Sequence, residues 1–381
     1  MADIEISPLP YNGGSLVTTQ AGAHVCFLSE NLYVTVFAQT NPTLSFLGLY
    51  SISNEPTGDP VVTLLKQRAF AQTVVTRARL WKLTDKRFML YQGTDLSVYE
   101  ITADNDIVKV EGSLTNLHNT YIYGTEANNV HGLGTYLHGK TISDNSVLFI
   151  QRASTAATPI VMFRVVYDPE TKTLTKTAND TLLASATATH YWKSYIVEIP
   201  NSTKFLVYLH GGATTIAAST VTAMRLVDGD GTVTVLPSTA PSTVRLLVPL
   251  SESKILGFVT TRAYREYDGS TWGAYDTTFA AATVSGTNMF AALAMDDTYF
   301  LLASSTSGIE TAANAFSVRI GRSLAVGFGQ ASLGTNASNG LAVTASFPYI
   351  DQCPIYNIRK NTYAVMGRTT TGFRITYLTN A

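Results

Sequence analysis

The segment Asp228-Gly229-Asp230-Gly231 has the acid–glycine alternation of half a calcium loop. Calcium takes about six to eight oxygen ligands, and its loops carry further acidic positions and a distal Glu. Here Thr232-Val233-Thr234-Val235 follows at once with the alternation of a strand. The segment therefore reads as a hairpin turn, and Asp104-Asn105-Asp106 reads the same way. The six histidines raise a metal question. Structural zinc sites use Cys or His pairs about two to five residues apart. His131 and His138 stand seven apart, with His118 upstream, so no metal site is expected. Cys26 and Cys353 lie in no nucleophile signature, and no G-x-S-x-G elbow occurs. Glycoside hydrolysis needs two facing carboxylates. The acids of this chain fall mostly in short turns between apolar runs and are better read as turn formers. No catalytic residue and no cofactor is expected.

The aromatic residues offer binding rather than catalysis. The stretch 116–138 holds His118, Tyr121, Tyr123 and His131 and is the longest connection in the chain. Loop packing and a binding patch both remain open for it. Tyr191 and Trp192, beside His190, stand at the start of a later unit, and Trp272 stands on a hairpin. Exposed Tyr and Trp are common platforms for sugars and protein partners. The candidate binding residues are His118, Tyr121, Tyr123, His131, Tyr191 and Trp192.

Composition narrows the partner. Charged residues are 14% of the chain against about a quarter in an average domain. The formal net charge is −1, and no Lys/Arg run occurs. Nucleic acid and anionic membranes both select basic clusters, so neither is an expected partner. Met1 to Pro10 lacks the basic start and apolar core of a signal peptide. No run of about 18 apolar residues is present, so no membrane insertion is expected. Two cysteines exclude a disulfide scaffold and fit free, buried thiols made in a reducing cytoplasm. Three sequons, Asn179-Asp180-Thr181, Asn201-Ser202-Thr203 and Asn336-Ala337-Ser338, then read as coincidence.

The elements that would position any site come from a repeat. An aliphatic residue, two or three polar residues and a β-branched or aromatic run recur at Leu28, Leu83, Ile142, Ile199, Leu250, Ala294 and Ile358. The starts lie 44 to 64 residues apart, 55 on average. The third position is acidic or Asn in six copies and Lys360 in the seventh. Such a pattern is a tight hairpin between two strands. The run after the turn is almost continuously apolar, as expected of a strand covered on both faces. A second hairpin follows in most units, at 98–110, 163–175 and 224–235. Four strands in about 40 to 55 residues make one propeller blade.

The expected fold is all-β, a single seven-bladed β-propeller of four-stranded antiparallel blades over 1–381. The blades fall at about 21–66, 72–114, 130–185, 190–238, 242–284, 286–335 and 337–381. The last unit lacks a fourth strand, and Ile4-Glu5-Ile6, within residues 1–10, supplies a spare one. Ring closure, with the N-terminal strand as the outer strand of the seventh blade, is the economical reading. A loose tail is the alternative. With strands A to D in each blade, the A–B and C–D turns share one face, and the B–C and D–A connections share the other. The latter vary more, as at 210–219, 304–313 and 116–138, and recognition is expected there.

The Thr-, Ser-, Ala- and Asn-rich, Lys-poor composition and the absence of a signal peptide resemble virion proteins of tailed bacteriophages. The repeat core is also similar to propeller repeats of phage tail and capsid-associated proteins and of bacterial surface proteins. It reads Leu, then Ser or Thr, then Asp or Glu, two free positions, a β-branched or aromatic residue, and Leu or Met. The resemblance spans the chain. It implies a non-enzymatic structural or attachment component of a virion, tail or capsid, synthesised in the host cytoplasm and present in multiple copies. Its partners would be other virion proteins, or a host surface glycan or receptor. The alternative is a carbohydrate-binding or carbohydrate-active propeller protein. A bacterial surface adhesin would be expected to carry an export signal.

Overall fold

The computed structural model describes residues 24–38, 45–53, 61–70, 79–92, 95–114, 138–152, 158–186, 191–213, 220–236, 240–241, 244, 246–260, 263–274, 288–294, 296–297, 299–305, 316–324, 327–332, 355–359, 362–369 and 372–379. The described strands gather into seven antiparallel sheets in chain order. The first holds β1 (His24–Ser29), β2 (Leu32–Ala38), β3 (Ser45–Ser53) and β4 (Val61–Phe70). The second holds β5 (Arg79–Thr84), β6 (Arg87–Gln92), β7 (Asp95–Ile101) and β8 (Ile107–Leu114). The third holds β9 (His138–Ser143), β10 (Ser146–Arg152), β11 (Thr158–Asp168), β12 (Thr173–Lys176) and β13 (Asp180–Ala186). The fourth holds β14 (Tyr191–Glu198), β15 (Lys204–Ala213), β16 (Thr220–Asp228) and β17 (Val233–Val235). The fifth holds β18 (Leu246–Ser251), β19 (Lys254–Thr260) and β20 (Ala263–Tyr267). The sixth holds β21 (Asn288–Ala294), β22 (Tyr299–Ser305), β23 (Phe316–Leu324) and β24 (Gly327–Ser332). The seventh holds β25 (Ile355–Arg359), β26 (Thr362–Thr369) and β27 (Gly372–Thr379).

The inner strands form a ring. β1 lies against β5, β5 against β9, β9 against β14, β14 against β18, β18 against β21 and β21 against β25. β25 then returns to β1. Antiparallel sheets set edge-inward around a closed ring are the blades of a β-propeller, seven among the described residues.

The core lies between blades, which explains the continuous apolar runs. Successive side chains of a strand point to opposite faces. On β6, Phe88 and Leu90 pack with the first blade, while Met89 and Tyr91 pack with the third. On β15, Phe205, Val207 and Leu209 meet the third blade, and Leu206 and Tyr208 meet the fifth. Both faces of β6 and β15 leave water, so polar alternation disappears there. Cross-strand aromatic pairs add to this packing. The Tyr33 and Tyr50 rings stack at 5.1 Å, and Tyr195 and Tyr208 at 4.5 Å.

The aliphatic residue of the repeat has its own cause. Pairing of the first and second strands slips at Leu28, Leu83, Ile142, Leu250 and Ile358, each the extra residue of a β-bulge. Leu28, Leu83, Ile142 and Leu250 are buried. A bulge bends the strand and re-aims a side chain, here into the seam with a neighbouring blade.

Several boundaries differ from the expectation. β4 runs to Phe70, beyond residue 66. In the third blade β12 and β13 lie end to end along β11, so two short strands share the outer position. Thr177 marks the break: Arg164 donates its backbone N–H to Thr177 Oγ1 at 2.9 Å, and Thr177 N–H donates to Arg164 O at 2.8 Å. In the fifth blade the described outer edge is a single bridge, Tyr267 to Trp272. The closing strand expected at Ile4–Ile6, and Cys353, lie outside the described residues.

Candidate functional site

The two faces differ chemically. On the turn face, the A–B hairpins of blades one to three are held by a hydroxyl one position before the acid. Lys86 N–H donates to Thr84 Oγ1 at 3.3 Å, and Ser143 Oγ donates to Asn145 Oδ1 at 2.9 Å. The acids are left to make ion pairs: Lys82 with Asp85 at 2.7 Å, and Lys204 with Glu252 at 2.6 Å. Glu252 also accepts from Ser202 Oγ at 2.7 Å, so the fifth blade is stapled to the fourth. Lys204 and Ser202 together hold the Glu252 carboxyl below its ordinary range.

In the C–D hairpins of blades three to five the acids cap their own turns. Asp268 accepts backbone N–H groups of Thr271 at 2.8 Å and Ser270 at 2.9 Å, and the Ser270 hydroxyl at 2.9 Å. These donors bring its carboxyl down to about 2. The Thr171 hydroxyl and the Glu170 and Thr171 N–H groups lower Asp168 likewise, and Thr232 lowers Asp230. The Asp228–Gly231 segment is a hairpin turn as expected. Gly231 N–H donates to Asp228 O at 2.8 Å and Asp228 N–H to Thr232 O at 2.9 Å. Among the described residues, each carboxyl group that departs from its ordinary value moves down. A general acid for glycoside cleavage requires the opposite shift. Among the described residues, no group of three His, Cys, Asp or Glu could hold a metal ion.

The opposite end of the blades is where strands A begin and strands B finish. Seven polar side chains are buried among the described residues. Five of them, Arg79, Ser97, Gln151, Ser194 and His210, lie toward this end in blades two to four. His138, the first residue of β9, sets its Nδ1 2.7 Å from Ser194 Oγ across the seam between blades three and four. Further along the same strands Lys140 pairs with Glu198 at 2.7 Å. Between blades two and three Trp81 Nε1 donates to Gly139 O at 2.8 Å, and Thr141 Oγ1 donates to Lys82 O. Polar side chains thus tie the inner strands directly to one another, and buried polar groups need such partners.

The sequence candidates fall unevenly on this frame. His118, Tyr121, Tyr123 and His131 lie outside the described residues, in the connection between β8 and β9. Tyr191 and Trp192 are the first two residues of β14, paired with Ala213 and Gly211. They therefore stand on an inner strand at its D–A end. The stretch 210–219 is not wholly a loop: β15 continues through Ala213, and His210 is buried opposite Lys193 and Val221. Ser304 and Ser305 likewise belong to β22. Sequence reasoning missed the pair of His138 and Ser194 and the buried Arg79. Their one signal is a polar residue inside an inner strand, which local pattern assigns equally well to a solvated face.

No protein-family model matches the chain, and no curated protein matches it. Similar solved structures include Sqt1 of Saccharomyces cerevisiae, at 7% identity over 96% of this chain and 98% of that one, TM-score 0.48. The WD40 β-propeller domain of Doa1 is similar at 11% identity over 99% and 97%, TM-score 0.48. YCF48 bound to D1 peptide is similar at 10% identity over 98% and 100%, TM-score 0.47. Likeness at this level says nothing about activity or partner.

Proposed function

We propose that this chain is a non-enzymatic structural or attachment component of a bacteriophage virion. In this reading it docks through its B–C and D–A face onto virion neighbours or a host surface. The observation that carries it is the contrast between the faces. Asp168, Asp230 and Asp268 are committed to their own hairpins and Glu252 to Lys204, and these four carboxyls lie below their ordinary range, which suits no general acid. The connections at the other end include 39–44, 153–157, 187–190 and 214–219, which contain no Asp, Glu, Lys or Arg. Short neutral connections on a rigid ring suit contact with a protein or a neutral glycan better than with nucleic acid. The virion assignment itself comes from the sequence resemblance.

Electron microscopy of the particle tests the reading. The expected result is a ring-shaped density at symmetric positions of tail or capsid, with the B–C and D–A face at the contact. Replacing Tyr121, Tyr123 and Trp192 with Ala should then reduce incorporation or adsorption by at least about tenfold, equivalent to about 1.4 kcal/mol. A particle lacking the chain overturns the virion role. Full assembly and adsorption by a folded triple variant overturns the docking face. Turnover of an oligosaccharide by the purified protein would favour the carbohydrate-active alternative.

A further inference from the structure

We draw no further inference here: the strongest candidate, the acidic rim made by the A–B and C–D turns, carries nothing, because Asp168, Asp230 and Asp268 cap their own hairpins, Asp85, Asp106 and Glu252 pair with lysines, and no second feature among the described residues of that face points to a ligand.

Discussion

Among the described glycines, Gly112 leaves the least room for a Cβ across a blade seam. It sits in β8 at an irregularity in the pairing with β7, with φ of +91°. A Cβ placed on it would stand 2.2 Å from the carbonyl oxygen of Lys172, in the C–D turn of the next blade. Two costs follow for Gly112→Ala. Holding an L-residue in a left-handed backbone costs about 1–2 kcal/mol. Relieving a contact that short means moving one blade's turn against the next, and overpacking of this kind costs about 1–3 kcal/mol. The sum is about 2–5 kcal/mol. A chain of 381 residues unfolding as one unit has an entropy of about 0.8 kcal/mol/K at its midpoint. The expected loss is therefore about 3–6 °C in Tm. Gly273→Ala is the control, because its Cβ would meet only Glu266 O at 3.4 Å and the residue is exposed. Differential scanning calorimetry of the two variants decides the matter. G112A melting with the wild type, or G273A falling equally far, refutes the seam argument.

Other outcomes are open to measurement. Phe149 is fully buried, 4.9 Å edge-on from Trp81 and 5.7 Å from Phe163. Phe149→Ala should cost about 3–5 kcal/mol in denaturant unfolding, whereas Val235→Ala, 62% exposed on the outer strand β17, should leave the midpoint unchanged. The lowered Asp268 carboxyl contributes stability above its ordinary range, near 4, that disappears as pH falls through about 2. D268N should therefore melt below the wild type at neutral pH, with the gap closing between those values. A gap independent of pH would contradict the capping account. Burial pushes the Cys26 thiol up to about 12 against the opposing pull of Lys82 and Lys140. Thiol labelling followed by peptide mass analysis should find Cys26 unmodified until the protein unfolds. Native-state labelling at the rate of a free thiol would contradict its burial.

Local chemistry in the sequence determined the hairpins. Bulged aliphatic residues, Ser or Thr hydroxyls and acidic turn residues act over four or five positions. Leu83-Thr84-Asp85-Lys86-Arg87 therefore announces its turn without help from the rest of the chain. Two-sided burial of the middle strands was legible for a similar reason, because Arg87–Gln92 has no alternating polar face to give to water. The chain order of the described sheets followed from these two signals.

Tertiary structure decided everything that depends on which residues from different blades meet. His138 and Ser194 are 56 positions apart and come within 2.7 Å only when two inner strands adjoin. Arg68 reaches Ile107 O at 2.5 Å and lies over the Tyr99 ring, tying the outer strand of one blade to the next. His210 continues a strand that a run of Gly, Ala and Thr makes look like a loop, because pairing with β14 and β16 supplies the backbone hydrogen bonds that local propensity does not. Gly112 carries, beside its own positive φ, a requirement set by the turn of another blade. Turns depend on neighbours in sequence and so can be read there. Seams depend on packing between distant segments, and that distance in the chain is why the inner-strand polar contacts had to come from the folded ring.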